Sequence, residues 1–219
     1  MPQGLGGPGS GICLRPEDFS CRAAPIAVMV AGGTGPASGK AAMTSIDLRP
    51  DCTRCAALCC VALPFDRSSR FAIDKAANEP CPNLDRCGRC RIHSSLADRG
   101  FGGCVAFDCF GAGQRVTQEI FEGRSWQDDP ALLEPMARVF LTATRAHECL
   151  MLLREAGSLP LSIADEARRA GLEAAVAEAG VSAEAIGALR RETFAFLASL
   201  RGSLPSAVAA GSGGRGRTP

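Results

Sequence analysis

Cysteine is the residue type in this sequence that most clearly offers chemistry. Nine of its twelve cysteines lie between Cys52 and Cys109. Two CxxC pairs, Cys52/Cys55 and Cys87/Cys90, have the two-residue spacer that lets both thiolates reach one ion at a bond length of roughly 2.3 Å. Such pairs, with further cysteines nearby, favour thiolate ligation, which suits zinc and iron–sulfur clusters equally well.

Three interpretations of this cysteine cluster stay open. A zinc ion that only holds loops together, an iron–sulfur centre with a redox or sensing role, and thiol–disulfide chemistry without a metal would all use clustered thiols. Cys59 and Cys60 are adjacent, and neighbouring residues in a strand point to opposite faces. The sequence therefore predicts that only one of them is a ligand, or that the two serve different metal atoms.

Other residues offer weaker signals. His93 follows Cys90 by three residues and could join a mixed site, although a surface or core histidine is the favoured interpretation. His147 and Cys149 fall on or beside an apolar helical stripe, where structural roles are favoured. No pair of carboxylates has a spacing that argues for acid–base catalysis, so an enzymatic function is neither predicted nor excluded.

The expected location is the cytoplasm. The apolar run at residues 26–31 is too short for a signal core or a membrane span, so no membrane association is expected. In a reducing cytosol, clustered cysteines are more often metal ligands or redox groups than disulfides. The net charge of +1 provides no basic field, so no nucleic-acid partner is predicted either.

The predicted fold class is α+β, with a loop-rich cysteine module of short strands followed by a small helical bundle. Glycine, proline, alanine and serine dominate residues 1–44, which are predicted to be a disordered extension. The cysteine-rich metal-binding module spans 45–128, the helical bundle 129–202, and a disordered tail 203–219. Strands are predicted at residues 60–63, 70–73, 104–107 and 115–121.

Three helices are predicted in the bundle. The first begins near Pro130 or Pro135, because proline is tolerated in a first helical turn. Ser162 and Ser182 are the predicted N-caps of the second and third helices. The glycines expected to end the three helices are Gly157, Gly180 and Gly202.

Apolar residues at helical spacing predict which faces point inward. For the first helix these are Met136, Val139, Phe140, Ala143, Ala146, Leu150 and Leu153. For the second they are Ile163, Ala167, Ala170, Ala174 and Ala177, and for the third Ile186, Leu189, Phe194, Leu197 and Leu200. An apolar face of Phe194, Phe196 and Leu197 also gives a weak indication that the bundle binds a protein partner.

The cysteine pattern resembles a known family. Cys52-x2-Cys55-x3-Cys59-Cys60, then Cys81-x2-Leu84, Cys90-x-Ile92-His93 and Cys104-x4-Cys109, is similar to the zinc- or iron-chelating CxxCxxCC family, also called YkgJ-like. This family includes the cysteine domain of flagellin lysine N-methylase. The resemblance covers about residues 50–155. It is closer to the cysteine block of actinobacterial pentapeptide-repeat proteins, through Phe71-Ala-Ile-Asp-Lys75 and Asp108-Cys-Phe-Gly-Ala-Gly-Gln114.

The resemblance implies a metal ion as partner, with zinc or an iron–sulfur cluster as cofactor, in a structural or redox and regulatory role. It also implies the alternative of a cofactor domain in an enzyme such as a methyl-transferring protein. The chain departs from the family in its three-residue spacer, in the absence of pentapeptide repeats and in the extra Cys87, expected as a free thiol or a substitute ligand. The ligands carried over by the resemblance are Cys52, Cys55, Cys59, Cys60, Cys81, Cys90, Cys104 and Cys109.

Overall fold

The structure is a computed structural model that describes residues 46–201. Helices dominate this part of the chain. The predictions for residues 1–44 and 203–219 lie outside this range. The α-helices of the described range are α1 Leu58–Ala62, α2 Gly102–Ala106, α3 Ala112–Arg115, α4 Leu133–Ala156, α5 Ile163–Glu178 and α6 Ala183–Leu200. Helix α3 continues into a π-helical turn, Val116–Ile120, and single 3₁₀ turns occupy Cys52–Arg54, His93–Ser95 and Pro130–Leu132.

The predicted α+β class is wrong. Helix makes up 55% of the interpretable residues, and the residues described form no sheet. Their only β-type pairings are two isolated antiparallel bridges, Phe65 with Lys75 and Leu84 with Cys90. Of the four predicted strands, 60–63 and 104–107 fall largely in α1 and α2, 115–121 falls largely in the π-helical turn, and 70–73 forms bends. Apolar runs this short do not distinguish a strand from a buried helical turn.

The three long helices begin close to where their sequence signals place them. Proline starts the 3₁₀ turn that leads into α4, and α4 ends at Ala156, just before Gly157. Ser162 Oγ accepts a hydrogen bond from the Asp165 N–H at 3.1 Å and donates one to the Asp165 carboxylate at 2.7 Å. Ser182 Oγ accepts from the Ala185 N–H at 3.4 Å. Both predicted N-caps are therefore present in the structure.

The inward face of α5 differs from the prediction. Ile163 is 93% exposed, and the residues that α5 buries are Leu172 and Val176. In α6 the fully buried aromatic residue is Phe196, whereas Phe194 is 40% exposed with the Arg190 guanidinium 4.6 Å from its ring centre. The apolar face considered for a protein partner is thus smaller than the sequence indicated, and that partner stays a prediction.

Helix α4 lies at the centre of the described residues, all of which belong to one compact unit. Its C-terminal half packs with α5 and α6 around Leu150, Leu153 and Phe196. Its N-terminal half packs through Met136 and Phe140 against α1, α3 and the π-helical turn. Helix α1 and the segment 112–120 are therefore placed by their contacts with α4. Within residues 46–201 none of the helices combines the length and apolar character that crossing a membrane requires.

Candidate metal centre

The eight thiols expected as ligands are all free in the structure, and they belong to the segments that surround α1. Within residues 46–201, however, no group of three or more His, Cys, Asp or Glu side chains is placed so that it could hold a metal ion. The thiols are thus neighbours rather than a formed coordination shell.

Four of the eight thiols line one small cavity of about 20 Å³, together with Asp51, Gly113, Gln114 and Phe140. These thiols are Cys52, Cys55, Cys59 and Cys109. They come from the 3₁₀ turn, the residue after it, α1, and the loop before α3. The cavity approximates the space that one water molecule or one ion needs, since about 10–15 Å³ of probe volume holds a water.

A glycine in α3 makes room for two of these sulfur atoms. A Cβ atom at Gly113 would lie 2.6 Å from Cys55 Sγ and 3.9 Å from Cys109 Sγ. The first distance is shorter than any ordinary carbon–sulfur contact, so a side chain here would displace Cys55. Gly113 lies in the helix and is buried, and it therefore serves as the wall against which both thiols rest.

The segment that carries Cys52 and Cys55 is fastened by side chains of the helical segment 112–120. Gln114 accepts a hydrogen bond from the Asp51 N–H at 2.9 Å and donates one to the Arg49 carbonyl at 2.7 Å. Thr117 Oγ1 accepts from the Ala56 N–H at 3.0 Å. Further bonds come from Gln118 to the Arg54 carbonyl and from the Trp126 indole to the Ala56 carbonyl. These bonds satisfy the backbone on both sides of the first CxxC pair.

The loop that carries Cys109 is held by a buried histidine. His147 Nδ1 lies 2.6 Å from the Phe110 carbonyl oxygen and Nε2 lies 3.2 Å from an Arg115 guanidinium nitrogen. Nδ1 therefore carries the proton and donates to the carbonyl, while Nε2 accepts from Arg115. Burial lowers the pKa of His147 to about 4, so the imidazole is neutral. The structural role expected for His147 agrees with these contacts.

Cys59 and Cys60 lie on α1, not on a strand, and their sulfur atoms are 3.9 Å apart. Successive residues of a helix are rotated by about 100° rather than 180°, so both side chains can point to the same side. With metal–sulfur bonds of roughly 2.3 Å, tetrahedral geometry places two thiolates about 3.8 Å apart. The opposed orientation that the sequence predicted for this pair is thus wrong.

The other four expected ligands, Cys60, Cys81, Cys90 and Cys104, do not line the cavity. The Cys81 N–H donates to the Cys60 carbonyl at 3.0 Å, and the Leu84 N–H donates to the Cys81 carbonyl at 2.9 Å. The Leu84–Cys90 bridge then returns the chain to the same turn. These backbone contacts bring the segments of Cys60, Cys81 and Cys90 together in a second neighbourhood beside α1. Burial raises the pKa of Cys104, in α2, and the nearby thiols of Cys59, Cys81 and Cys90 add to the rise.

Lys75 is buried beside this second neighbourhood, with 5% of its surface exposed. Its ammonium donates to the carbonyl oxygens of Val61, Ala76 and Glu79 at 2.9, 2.9 and 2.8 Å. Burial lowers the pKa of Lys75, while the nearby Cys81 and Cys60 thiols and the Glu79 carboxylate act in the opposite direction. Of the described residues, no carboxylate forms a salt bridge with it. The negative charges near it are therefore the Glu79 carboxylate and, when ionised, the thiols of Cys81, Cys60 and Cys59.

Without metal, the clustered thiols are poor acids. Burial raises the pKa of Cys55 to about 12, and the neighbouring thiolates contribute to this rise. Burial likewise raises the pKa of Cys104 to about 11. The pKa of Cys59 lies well above its usual value because of its hydrogen bond with Cys60 and because of burial. At neutral pH these groups hold their protons until a cation displaces them.

Several residues stand outside the cluster or were missed. His93 is exposed, and Cys149 is 1% exposed in α4. Cys87 takes part in a disulfide, so the prediction that it is a free thiol or a substitute ligand is wrong. Lys75, Gly113 and Gln114 lie in the motifs that carry the family resemblance, but no role was predicted for any of them. Lys75 did carry a signal, since lysine supplies two of the 24 basic residues.

Comparison with known proteins gives one partial likeness of uncharacterized function. The chain is 45% identical over 116 residues to the uncharacterized protein YybG of Bacillus subtilis (strain 168). The match covers 53% of this chain and 42% of YybG, so the chain spans less than half the length of the curated relative it matches. No family model matches the chain, and no solved structure matches it.

Proposed function

We propose that this chain is a metal-binding protein, which holds zinc or an iron–sulfur cluster through its cysteine cluster in a structural or redox and regulatory role. The observation that carries the proposal is the convergence of four free thiols from separate segments on one cavity. Four thiolates are the usual ligand set of a structural zinc, and four thiols from separate segments line this one cavity. Binding then requires the side chains to rotate toward the ion.

The buried ammonium of Lys75 supports this proposal. A buried charge is costly unless it is compensated, and protonated thiols add nothing to the compensation that the three carbonyl oxygens and the Glu79 carboxylate provide. Divalent zinc with four thiolates carries a net charge of −2, and such a site on the Cys60 side of α1 would offset the ammonium. The arrangement around Lys75 is therefore most stable when the neighbouring thiols are ionised by a metal.

The cavity size favours a single ion over a cluster at the first site. A space of about 20 Å³ accepts one zinc ion, whereas a cluster of several iron and sulfide ions needs the walls to move apart. The raised pKa values of Cys55 and Cys104 weigh against the alternative of a thiol oxidoreductase, since such enzymes need a thiolate near neutral pH. We place the protein in the cytoplasm, where free thiols persist.

The resemblance to the zinc- or iron-chelating CxxCxxCC family supports the same function, because the free thiols around α1 are the eight that it implies as ligands. We include all eight in the proposed ligand set. The alternative of a cofactor domain in a methyl-transferring enzyme has no further support in the residues described.

Elemental analysis and an absorbance spectrum of protein purified without oxygen test the proposal. Zinc in a colourless protein, or iron with sulfide and visible absorbance, is the expected result. The variant Cys55→Ala should lose at least half of the bound metal. Cys149→Ala is the matched control, because it removes a buried free thiol of α4 that does not line the cavity. Equal metal content in the two variants would contradict the ligand assignment.

A further inference from the structure

Ala56, the residue that follows Cys55, is held at both of its backbone polar groups by side chains from distant parts of the chain. Its N–H donates to Thr117 Oγ1 at 3.0 Å, and its carbonyl accepts from the Trp126 indole N–H at 2.7 Å. Ala56 itself is 6% exposed. Neither Thr117 nor Trp126 lines the cavity of four thiols, so each acts on it through the backbone that it holds.

The Thr117 hydroxyl also reaches the wall of this cavity. It donates to the Gly113 carbonyl at 2.9 Å, and a Cβ atom at Gly113 would lie 2.6 Å from Cys55 Sγ. One hydroxyl therefore joins the residue after Cys55 to the residue against which the Cys55 sulfur rests. Thr117 is 4% exposed, so little water competes for either bond.

The turn that follows Ala56 depends on such support. Ala57 has a φ of 55°, in the left-handed region that a residue with a side chain adopts only at a cost in free energy. Conformations of this kind persist where the surrounding structure holds them. Burial raises the pKa of Cys55, and a hydrogen bond from the Leu58 N–H, just after the turn, acts in the opposite direction. Without the two bonds to Ala56 the turn could relax and the sulfur could move.

We propose that Thr117 and Trp126 are positioning residues: by holding Ala56 they fix the Cys55 sulfur at the cavity where the other three thiols converge. This inference rests on the proposed metal-binding function and assigns a role in it to two residues that are not ligands. Loss of a group that orients a ligand weakens metal binding by about 10- to 100-fold. A chain without the Thr117 hydroxyl should therefore bind metal more weakly, although it keeps every thiol.

The test is the affinity of the metal-free full-length chain for cobalt(II), followed through the sulfur-to-cobalt absorbance. Thr117→Val keeps the shape of the side chain without the hydroxyl, and Trp126→Phe removes the indole N–H. Each should raise the dissociation constant by about tenfold or more, and Thr117→Ser should restore the wild-type value. Thr142→Val is the matched control, because Thr142 is 5% exposed in α4 and its hydroxyl donates within that helix, to the Arg138 carbonyl at 3.4 Å.

A second measurement does not depend on metal. In the metal-free chain, an uncharged alkylating reagent should modify Cys55 at least about fivefold faster in Thr117→Val than in the wild type, the factor that one buried hydrogen bond corresponds to. Peptide mass spectrometry gives the rate for each thiol. Cys149, which is 1% exposed in α4, is the internal control and should keep its rate.

The contrary outcomes are distinct. Wild-type cobalt affinity and wild-type Cys55 alkylation in Thr117→Val and Trp126→Phe would overturn the positioning role and leave metal binding intact. Weakened affinity that Thr117→Ser does not restore, or equal weakening in Thr142→Val, would overturn it in favour of a general loss of stability. A wild-type chain that takes up no cobalt would contradict the proposed function itself, and the alkylation rates would still decide whether the bonds to Ala56 hold the sulfur in place.

Discussion

Residues 46–128 and helices α4–α6 are stabilised in different ways. The helices share a continuous apolar core around residues such as Leu150, Leu153 and Phe196. The apolar residues of the cysteine-bearing region that pack against α4 lie at the two ends of that region, in α1 and in the segment 112–120. Between residues 64 and 100, Ile92 is the only buried apolar residue.

This difference shows where each region obtains its free energy of folding. Burial of apolar surface, at roughly 25 cal/mol per Å², suffices for the helices. The segment between α1 and α2 has turns, two isolated bridges and a buried lysine instead. A segment of this kind needs another source of stability, and metal–thiolate bonds are one that its residues offer, beside the stacked rings of Phe65 and Phe71 and the disulfide of Cys87.

Metal removal should produce the largest effect, and it should be confined to one of the two regions. A structural zinc contributes on the order of 10 kcal/mol to folding in small zinc-binding domains. Incubation with a chelator under reducing conditions should therefore abolish hydrogen-exchange protection at residues 64–110. The amides of α4, α5 and α6 should stay protected. Unchanged exchange at residues 64–110 would show that this region folds without metal.

Mild acid should weaken the link between the regions by a smaller amount. His147 has a pKa of about 4 in the folded chain against 6.5 for an unperturbed imidazole, so its contribution to the free energy of unfolding is complete above pH 6.5 and is lost as the pH falls toward 4. At pH 5 the expected loss is about 2 kcal/mol. Denaturant unfolding at pH 7 and pH 5 measures it.

The control for this prediction is His147→Asn, which keeps a donor near the Phe110 carbonyl but does not titrate. Its unfolding free energy should be about 2 kcal/mol less sensitive to the same pH change than that of the wild type. If both proteins show the same difference between pH 7 and pH 5, the protonation of His147 does not govern it.

The smallest expected changes in stability come from replacing one glycine in each region with alanine. Gly171→Ala in α5 meets nothing within 4 Å, so the higher helix propensity of alanine should stabilise the chain by up to about 1 kcal/mol. Gly113→Ala has the same intrinsic benefit, but its methyl group would meet Cys55 Sγ at 2.6 Å. Overpacking should then cost about 1–3 kcal/mol and reduce metal content. Thermal unfolding with elemental analysis measures both, and a stabilised, fully metallated Gly113→Ala would contradict the packing described.

The sequence predicted the long helices better than the short elements, for a physical reason. Ser162 and Ser182 cap helices through local hydrogen bonds, which depend on residues only three positions away. The segments at 60–63 and 104–107 were predicted as strands because their apolar content alone does not set a period. The helical form of α1 depends on packing against α4, which is distant in the sequence, whereas α2 buries no residue. The prediction of which α5 residues face inward was wrong because the many alanines of this helix give no strong periodic signal beside Leu172 and Val176.

Of the candidate site, only the reactive side chains could be predicted from the sequence. Cysteine spacing identified the thiols and left their grouping open, because grouping depends on contacts between segments far apart in the chain. Gln114 binds residues more than 60 positions away, at Asp51 and Arg49. Gly113 matters because two sulfur atoms approach it, which no local pattern encodes.

The three carbonyl oxygens around Lys75 have a consequence for the side chain that this position accepts. They converge on one nitrogen atom, which matches the three N–H bonds of an ammonium group. A guanidinium group spreads its donors over a flat fork and is bulkier, so arginine cannot reproduce this geometry. Arginine supplies 22 of the 24 basic residues of this chain, and the three converging oxygens give a geometric reason for a lysine at this position.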